Sequence, residues 1–158
     1  MLRGVPRSLF SWDFDVLQDG VPIAVIDMAW FRERGELDIA GQRYEVYRES
    51  WMGGRFFIES SEGPLASAEK PSALFRSFVV DYDGRRLQLE AASPFTRRFL
   101  VLENDVRIGT IGPDFWLSRK ATIDLPQDIP VPVQVFMFWL VLLLRRRAAN
   151  SSSSAGGA

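Results

Sequence analysis

Neither cysteine nor histidine occurs anywhere in the 158 residues. That absence removes disulfides, thiolate nucleophiles, cysteine- or histidine-ligated zinc, the Ser-His-Asp triad and any imidazole proton shuttle. Lysine is scarce as well: Lys70 and Lys120 are the only two, so nearly all the basic side chains are arginine. Catalysis is left with carboxylates, lysine, tyrosine, serine or a hard cation held through oxygen. Charge of neither sign is in excess, with a formal net charge of -1 and a pI near 5.5. Phosphate backbones need a concentrated basic face, so nucleic acid is not an expected partner. A chain without disulfides gains no covalent support in an oxidising compartment, which points to a reducing, cytosolic setting. Residues 1–10 carry Arg3 and Arg7 among scattered apolar side chains. They lack the apolar run of about 7 to 15 residues that an export signal needs.

What the chain does contain is ordinary for a globular protein: 47% hydrophobic and 25% charged residues. Its length suits one domain, which the sequence assigns to residues 1–147. Residues 148–158 are Ala, Asn, Ser and Gly only. Such a composition buries too little surface to offset its ordering entropy, and a disordered tail is expected there.

The middle of the sequence matches itself at an offset of 43 residues, the step from Asp38 to Asp81. In the same register Gly41 meets Gly84, Ser50 meets Ser93, Phe56 meets Phe99, Leu74 meets Leu117 and Arg76 meets Arg119. A weaker copy begins near Phe14, with Asp19-Gly20 against Glu62-Gly63. Within each copy apolar and polar residues alternate, as at Tyr44 and Val46 or Leu87 and Leu89, which is the period of a half-buried strand. Turn formers separate the runs: Asp19-Gly20, Gly53-Gly54, Glu62-Gly63 and Asp83-Gly84. Three copies of a four-stranded unit give about twelve strands. A β-trefoil also uses three repeats of this size and is the rival reading.

The C-terminal segment decides against the trefoil. Between Val133 and Leu144 only Gln134 is polar, and Arg145, Arg146 and Arg147 follow. Pro130 and Pro132 suit the first turn of a helix, and cations suit its last, so a core helix is expected near 132–146 with about 13 apolar-flanked residues. Apolar on every side, it must be buried all round. At about 1.5 Å per residue it reaches roughly 20 Å, short of the roughly 30 Å of a hydrocarbon core. A helix core of Val133, Phe136, Met137, Trp139, Leu140 and Leu143 inside a closed antiparallel barrel is therefore expected.

These segments resemble the tubby-like fold shared by tubby C-terminal domains, phospholipid scramblases and LURP-one-related proteins. The resemblance rests on Arg98-Phe99-Leu100-Val101-Leu102-Glu103, on Ile108-Gly109-Thr110-Ile111 and on the helix Val133 to Leu144, and spans about Phe10 to Arg147. It implies a twelve-stranded barrel around a hydrophobic helix. The clustered basic residues with which tubby domains bind phosphoinositides have no counterpart among two lysines and scattered arginines. The acidic calcium segment of scramblases is reduced here to Asp124-Leu125-Pro126-Gln127-Asp128. LURP-one-related proteins are the nearest in kind, and imply a binding or scaffold role rather than catalysis.

The sequence offers no catalytic, metal or cofactor site. Asp81-Tyr82-Asp83-Gly84 resembles the start of a calcium loop but lacks the later ligands, which leaves a hairpin turn. Glu59 with Glu62, or Asp13 with Asp15, are the carboxylate pairs a hydrolase would use, at separations of about 5 to 9 Å. Arg97-Arg98 and Arg119-Lys120 occupy equivalent slots in the repeat and, with Arg145, Arg146 and Arg147, are the candidates for binding an anion or lipid headgroup. Solvated strand faces and helix capping are the alternatives. Of the five tryptophans (Trp12, Trp30, Trp51, Trp116 and Trp139), core and rim positions are expected, with Trp51 the most exposed. The expected role is an intracellular binding module, with an anionic membrane surface or a protein as partner. The competing expectation is a scramblase-like protein that inserts its C-terminal segment into a membrane.

Overall fold

The computed structural model describes residues 1–28, 33–50, 52–71 and 76–155. Trp30, Trp51 and Leu74 lie outside them. Among the described residues there are twelve strands and one helix. The strands are β1 (Leu2–Pro6), β2 (Phe14–Gln18), β3 (Val21–Met28), β4 (Arg34–Ile39), β5 (Gln42–Arg48) and β6 (Arg55–Ser60). They continue as β7 (Gly63–Glu69), β8 (Ser77–Tyr82), β9 (Arg85–Ala91), β10 (Phe99–Glu103), β11 (Val106–Pro113) and β12 (Ala121–Asp124), before α1 (Val131–Ala155). Each strand pairs antiparallel with its sequence neighbours, and β1 pairs with β12 through Leu2 opposite Ile123. The result is a closed barrel of twelve strands around the C-terminal helix, as the periodicity and the apolar segment predict. Closure leaves no sheet edge for other chains to extend.

An up-and-down barrel puts alternate connections at opposite ends. One end carries two-residue turns, with both central residues at positive φ in Asp19-Gly20, Ala40-Gly41, Asp83-Gly84 and Asn104-Asp105. Such turns match the right-handed twist of the strands they join. The other end carries the longer connections 7–13, 49–54, 92–98 and 114–120, and Gly53-Gly54 falls there rather than in a tight hairpin.

Three β-bulges mark the internal repeat. They fall at Val16/Leu17 in β2, Ile58/Glu59 in β6 and Val101/Leu102 in β10, spaced by 42 (16 to 58) and 43 (58 to 101) residues. The first copy is thus one residue shorter than the offset of 43 allows. Asp19-Gly20 is equivalent to Ser61-Glu62, one place before the Glu62-Gly63 expected. The third copy borrows β1 as its fourth strand, which is how the barrel closes.

The helix begins at Val131, and the backbone N–H groups of Val133 and Gln134 donate to the Pro130 carbonyl at 2.9 and 3.1 Å. Residues 133–144 are all buried, among them Val133, Phe136, Met137, Trp139, Leu140 and Leu143. The one polar residue of the run, Gln134, satisfies its amide on the Ile129 carbonyl at 2.8 Å. Inward strand residues interdigitate with the helix: Phe138 meets Phe14 edge-on at 5.4 Å, and Trp139 meets Phe56 at 6.0 Å. Where the wall comes closest it has no side chain. A methyl on Gly4 would overlap the Phe138 ring, and one on Gly35 would lie 2.6 Å from the Asp27 carbonyl and 3.1 Å from Trp139 Nε1.

The helix runs on to Ala155, 25 residues in all, where the sequence leads one to expect about 13 followed by disorder from 148. The reason is cooperative. Composition judges residues 148–155 alone, but here they extend a helix already nucleated and packed, and each added residue gains a hydrogen bond without the cost of nucleation. Ala148 and Ala149 are strong helix formers, and the hydroxyls of Ser151 and Ser152 fold back onto the Arg147 and Ala148 carbonyls at 2.9 Å. The added turns are polar, and among the described residues no helix is long and apolar enough to cross a membrane.

Candidate functional site

Where the buried part of the helix leaves the barrel, at the end with the longer loops, a cavity of about 280 Å³ opens. Its floor is apolar: Trp12, Phe14, Phe99, Leu142 and Leu144. Ala148, Ala149 and Ser152 on the exiting helix form one wall. Four arginines complete it. Arg76 stands just before β8, Arg97 and Arg119 each stand two residues before the next even strand, and Arg145 is the first residue after the buried run.

Each guanidinium is held by neutral groups. Arg76 donates to the Thr96 carbonyl with its plane 5.5 Å from the Phe99 ring, and Arg97 donates to the Trp116 carbonyl. Arg119 donates to the carbonyls of Ser8 (3.1 Å), Leu9 and Ser11 and lies 5.7 Å from the Trp12 ring. Arg145 reaches the Arg97 carbonyl at 3.2 Å. These carbonyl and ring contacts aim the groups without neutralising them. Among the described residues no carboxylate lines the cavity or pairs with any of the four. Two of the buried donors, Arg76 Nε and Arg145 Nε, have no hydrogen-bond partner among the described residues. Burial, and then the like charges of Arg97 and Arg76, push Arg145 down to about 10.

The seven basic residues singled out in the sequence therefore separate. Arg97, Arg119 and Arg145 share the cavity. Arg98 and Lys120 are exposed on the outer surface of the same loops. Arg147 turns away to Glu33, its Nε 2.6 Å from Oε1, and Glu33 also accepts from Arg48 at 3.0 Å, which ties the emerging helix to the start of β4. Arg146 is half-buried, and burial lowers its basicity. Sequence reasoning missed Arg76 and Trp12 as site residues. The signal for Arg76 was its match to Arg119 in the 43-residue repeat.

Three of the four candidate acids have structural partners. Glu59 accepts from the Tyr47 hydroxyl at 2.6 Å, a bond that raises the tyrosine's pKa, and Asp13 accepts from the Met28 N–H at 2.9 Å. Asp15 pairs with Arg7 at 3.1 Å, and Glu62 is exposed in the turn after β6. Asp83-Gly84 is a hairpin turn with φ of 46° and 74°. Trp139 is wholly buried, Trp12 lies under Arg119, and Trp116 is 78% exposed at a loop tip.

Comparison with protein-family models, with curated proteins and with solved structures finds no match to this chain. The functional reading therefore starts from the cavity itself.

Proposed function

We propose that this chain is a non-enzymatic binding module of tubby-like, LURP-one-related type, which takes the anionic end of an amphiphilic ligand into the arginine-lined cavity. One observation carries it: four guanidinium groups converge on one small cavity, and among the described residues no carboxylate lies with them and two buried Nε donors have no partner. Like charges held together in a partly dry site cost free energy, and an anion there converts that cost into charge-assisted hydrogen bonds. The apolar floor favours a ligand whose charged group is joined to a hydrocarbon or aromatic part. A volume of about 280 Å³ suits a headgroup and a few methylenes rather than a larger molecule. The twelve-stranded barrel around an apolar helix supports the tubby-like assignment, and the lack of cysteine an intracellular setting.

The test is calorimetric titration of the whole protein with octyl phosphate and octanoate, and with octanol as the neutral control. The anions are expected to bind and octanol not. Arg145→Gln and Arg76→Gln are expected each to weaken anion binding by about tenfold or more. Because the substitution at position 145 removes a disfavoured charge, the ligand-free variant should melt no lower than the parent. Equal binding of octanol, or undiminished binding by both variants, would remove the proposal.

A further inference from the structure

The same end of the barrel bears a second feature, separate from the cavity. Six large apolar side chains project into solvent from three connections: Leu9 (82% exposed) and Phe10 (90%) between β1 and β2, Phe95 (97%) between β9 and β10, and Phe115 (61%), Trp116 (78%) and Leu117 (64%) between β11 and β12. Because the strands run in the order β9, β10, β11, β12, β1, β2 around the barrel, these loops are neighbours. They are also fastened together, Arg119 donating to three carbonyls of the first loop and Arg97 to the Trp116 carbonyl. Exposed Arg98 lines a surface depression with Phe95, Phe115 and Trp116, and exposed Lys120 stands three residues after Leu117. The acids on these loops are engaged, Asp114 with Arg3 and Thr122, and Asp13 with the Met28 N–H.

The opposite end has the reverse character. Its turns present Asp19, Glu62, Asp83 and Asp105, while Asp128 and Glu103 there are paired with Arg85. A net charge near zero thus conceals a polarity along the barrel axis, with exposed basic and aromatic groups on these loops and carboxylates prevailing in the turns at the other end.

We propose that the three loops are a lip that docks on an anionic lipid surface. A protein partner would need a matched pocket for each protruding ring, because interface anchors act in packed, desolvated pockets. Rings and aliphatic side chains spread over three neighbouring loop tips, with the exposed cations Arg98 and Lys120 on two of those loops, instead suit a bilayer interface. That interface accepts aromatic side chains at headgroup depth and pairs phosphates with guanidinium. Charge complementarity sets the orientation, since the acidic end faces away from the anionic surface. The lip goes beyond the cavity reading and does not require the cavity to be filled.

Sedimentation of the full chain with phosphatidylcholine vesicles, with and without phosphatidylserine, tests it. The protein is expected to pellet with the vesicles that contain phosphatidylserine, and added salt should weaken this. Phe95→Ser combined with Trp116→Ser is expected to cut the vesicle-bound fraction by about tenfold or more. Since both side chains are exposed, melting and octyl phosphate binding should be unchanged, whereas Arg145→Gln should bind octyl phosphate about tenfold more weakly and keep the vesicles. Failure of the parent chain to pellet would overturn the proposal, as would a double variant that pellets like the parent. So would lipid-free dimers that the same two substitutions abolish, because the lip would then belong to a second copy of the chain.

Discussion

The same residue type does opposite work at the two ends of this barrel. Arg85, at the hairpin end, forms a bidentate pair with Glu103 at 2.9 and 3.0 Å and a third bond to Asp128 at 2.8 Å. Those partners raise its pKa, and Arg85 in turn holds Glu103 below the usual carboxylate range. Arg145, buried and with no acid beside it among the described residues, is pushed the other way. The first arrangement is satisfied within the chain, and the second is the one that the proposed anion would complete. Glycine matters at single positions too. Gly4 faces inward on β1, against the ring of Phe138, in an interior where a single added carbon is felt. Gly4→Ala is expected to lower stability by about 1–3 kcal/mol, read from urea unfolding. Phe138→Leu should recover part of that loss in the double variant, because the smaller side chain makes room. Simple additivity of the two changes would show that the ring is not what excludes the methyl.

Among the elements, the helix was legible at its start and not at its end. Pro130 and Pro132 announce the first turn, but the exposed turns 148–155 depend on a packed helix before them, which composition cannot register. The hairpin at Asp83-Gly84 was equally plain, because the residues that adopt positive φ name themselves. Ala40-Gly41 did not stand out: alanine is a poor sign of a left-handed position, yet its φ is 51°. The site was half legible. Neighbouring residues on extended chain point to opposite sides, so each basic pair, Arg97-Arg98 and Arg119-Lys120, sends one member to the cavity and one to solvent. On the helix, successive residues differ by about 100°, which aims Arg145 at the cavity and Arg147 at Glu33. Arg97 and Arg119 each lie two residues before an inward strand residue, Phe99 and Ala121, but the pattern does not say that the alternation runs back into the loop. A chain ending at Arg147 tests the status of the last two turns. It should keep the barrel and its stability to within about 1 kcal/mol, with helical circular dichroism reduced, since those turns bury little. Loss of cooperative melting on that truncation would mean that residues 148–155 support the core.

At the scale of the molecule, barrel and helix are two halves of one core. Eight strands enclose an interior that their own side chains can fill, and twelve leave room for more. Here that room holds residues 133–144, and burying such side chains stabilises by roughly 1.5–3 kcal/mol each, an upper bound given the compactness of real unfolded chains. Even the lower figure, over so many residues, exceeds the roughly 5–15 kcal/mol net stability of a typical domain. The barrel therefore should not survive without its helix, although the helix adds no strand to the sheet. Closure also waits for the far end of the chain, because Leu2 pairs with Ile123 and the helix follows only after that strand. A chain ending at Ile129 is expected to bind apolar dyes, to lack near-ultraviolet dichroism and to melt without a transition. In the full chain, far-ultraviolet dichroism, which follows the backbone, and tryptophan fluorescence, to which buried Trp139 contributes, should change at one temperature. A sharp melt in the shortened chain, or two separated transitions in the full one, would show that the sheet holds its shape around an empty interior.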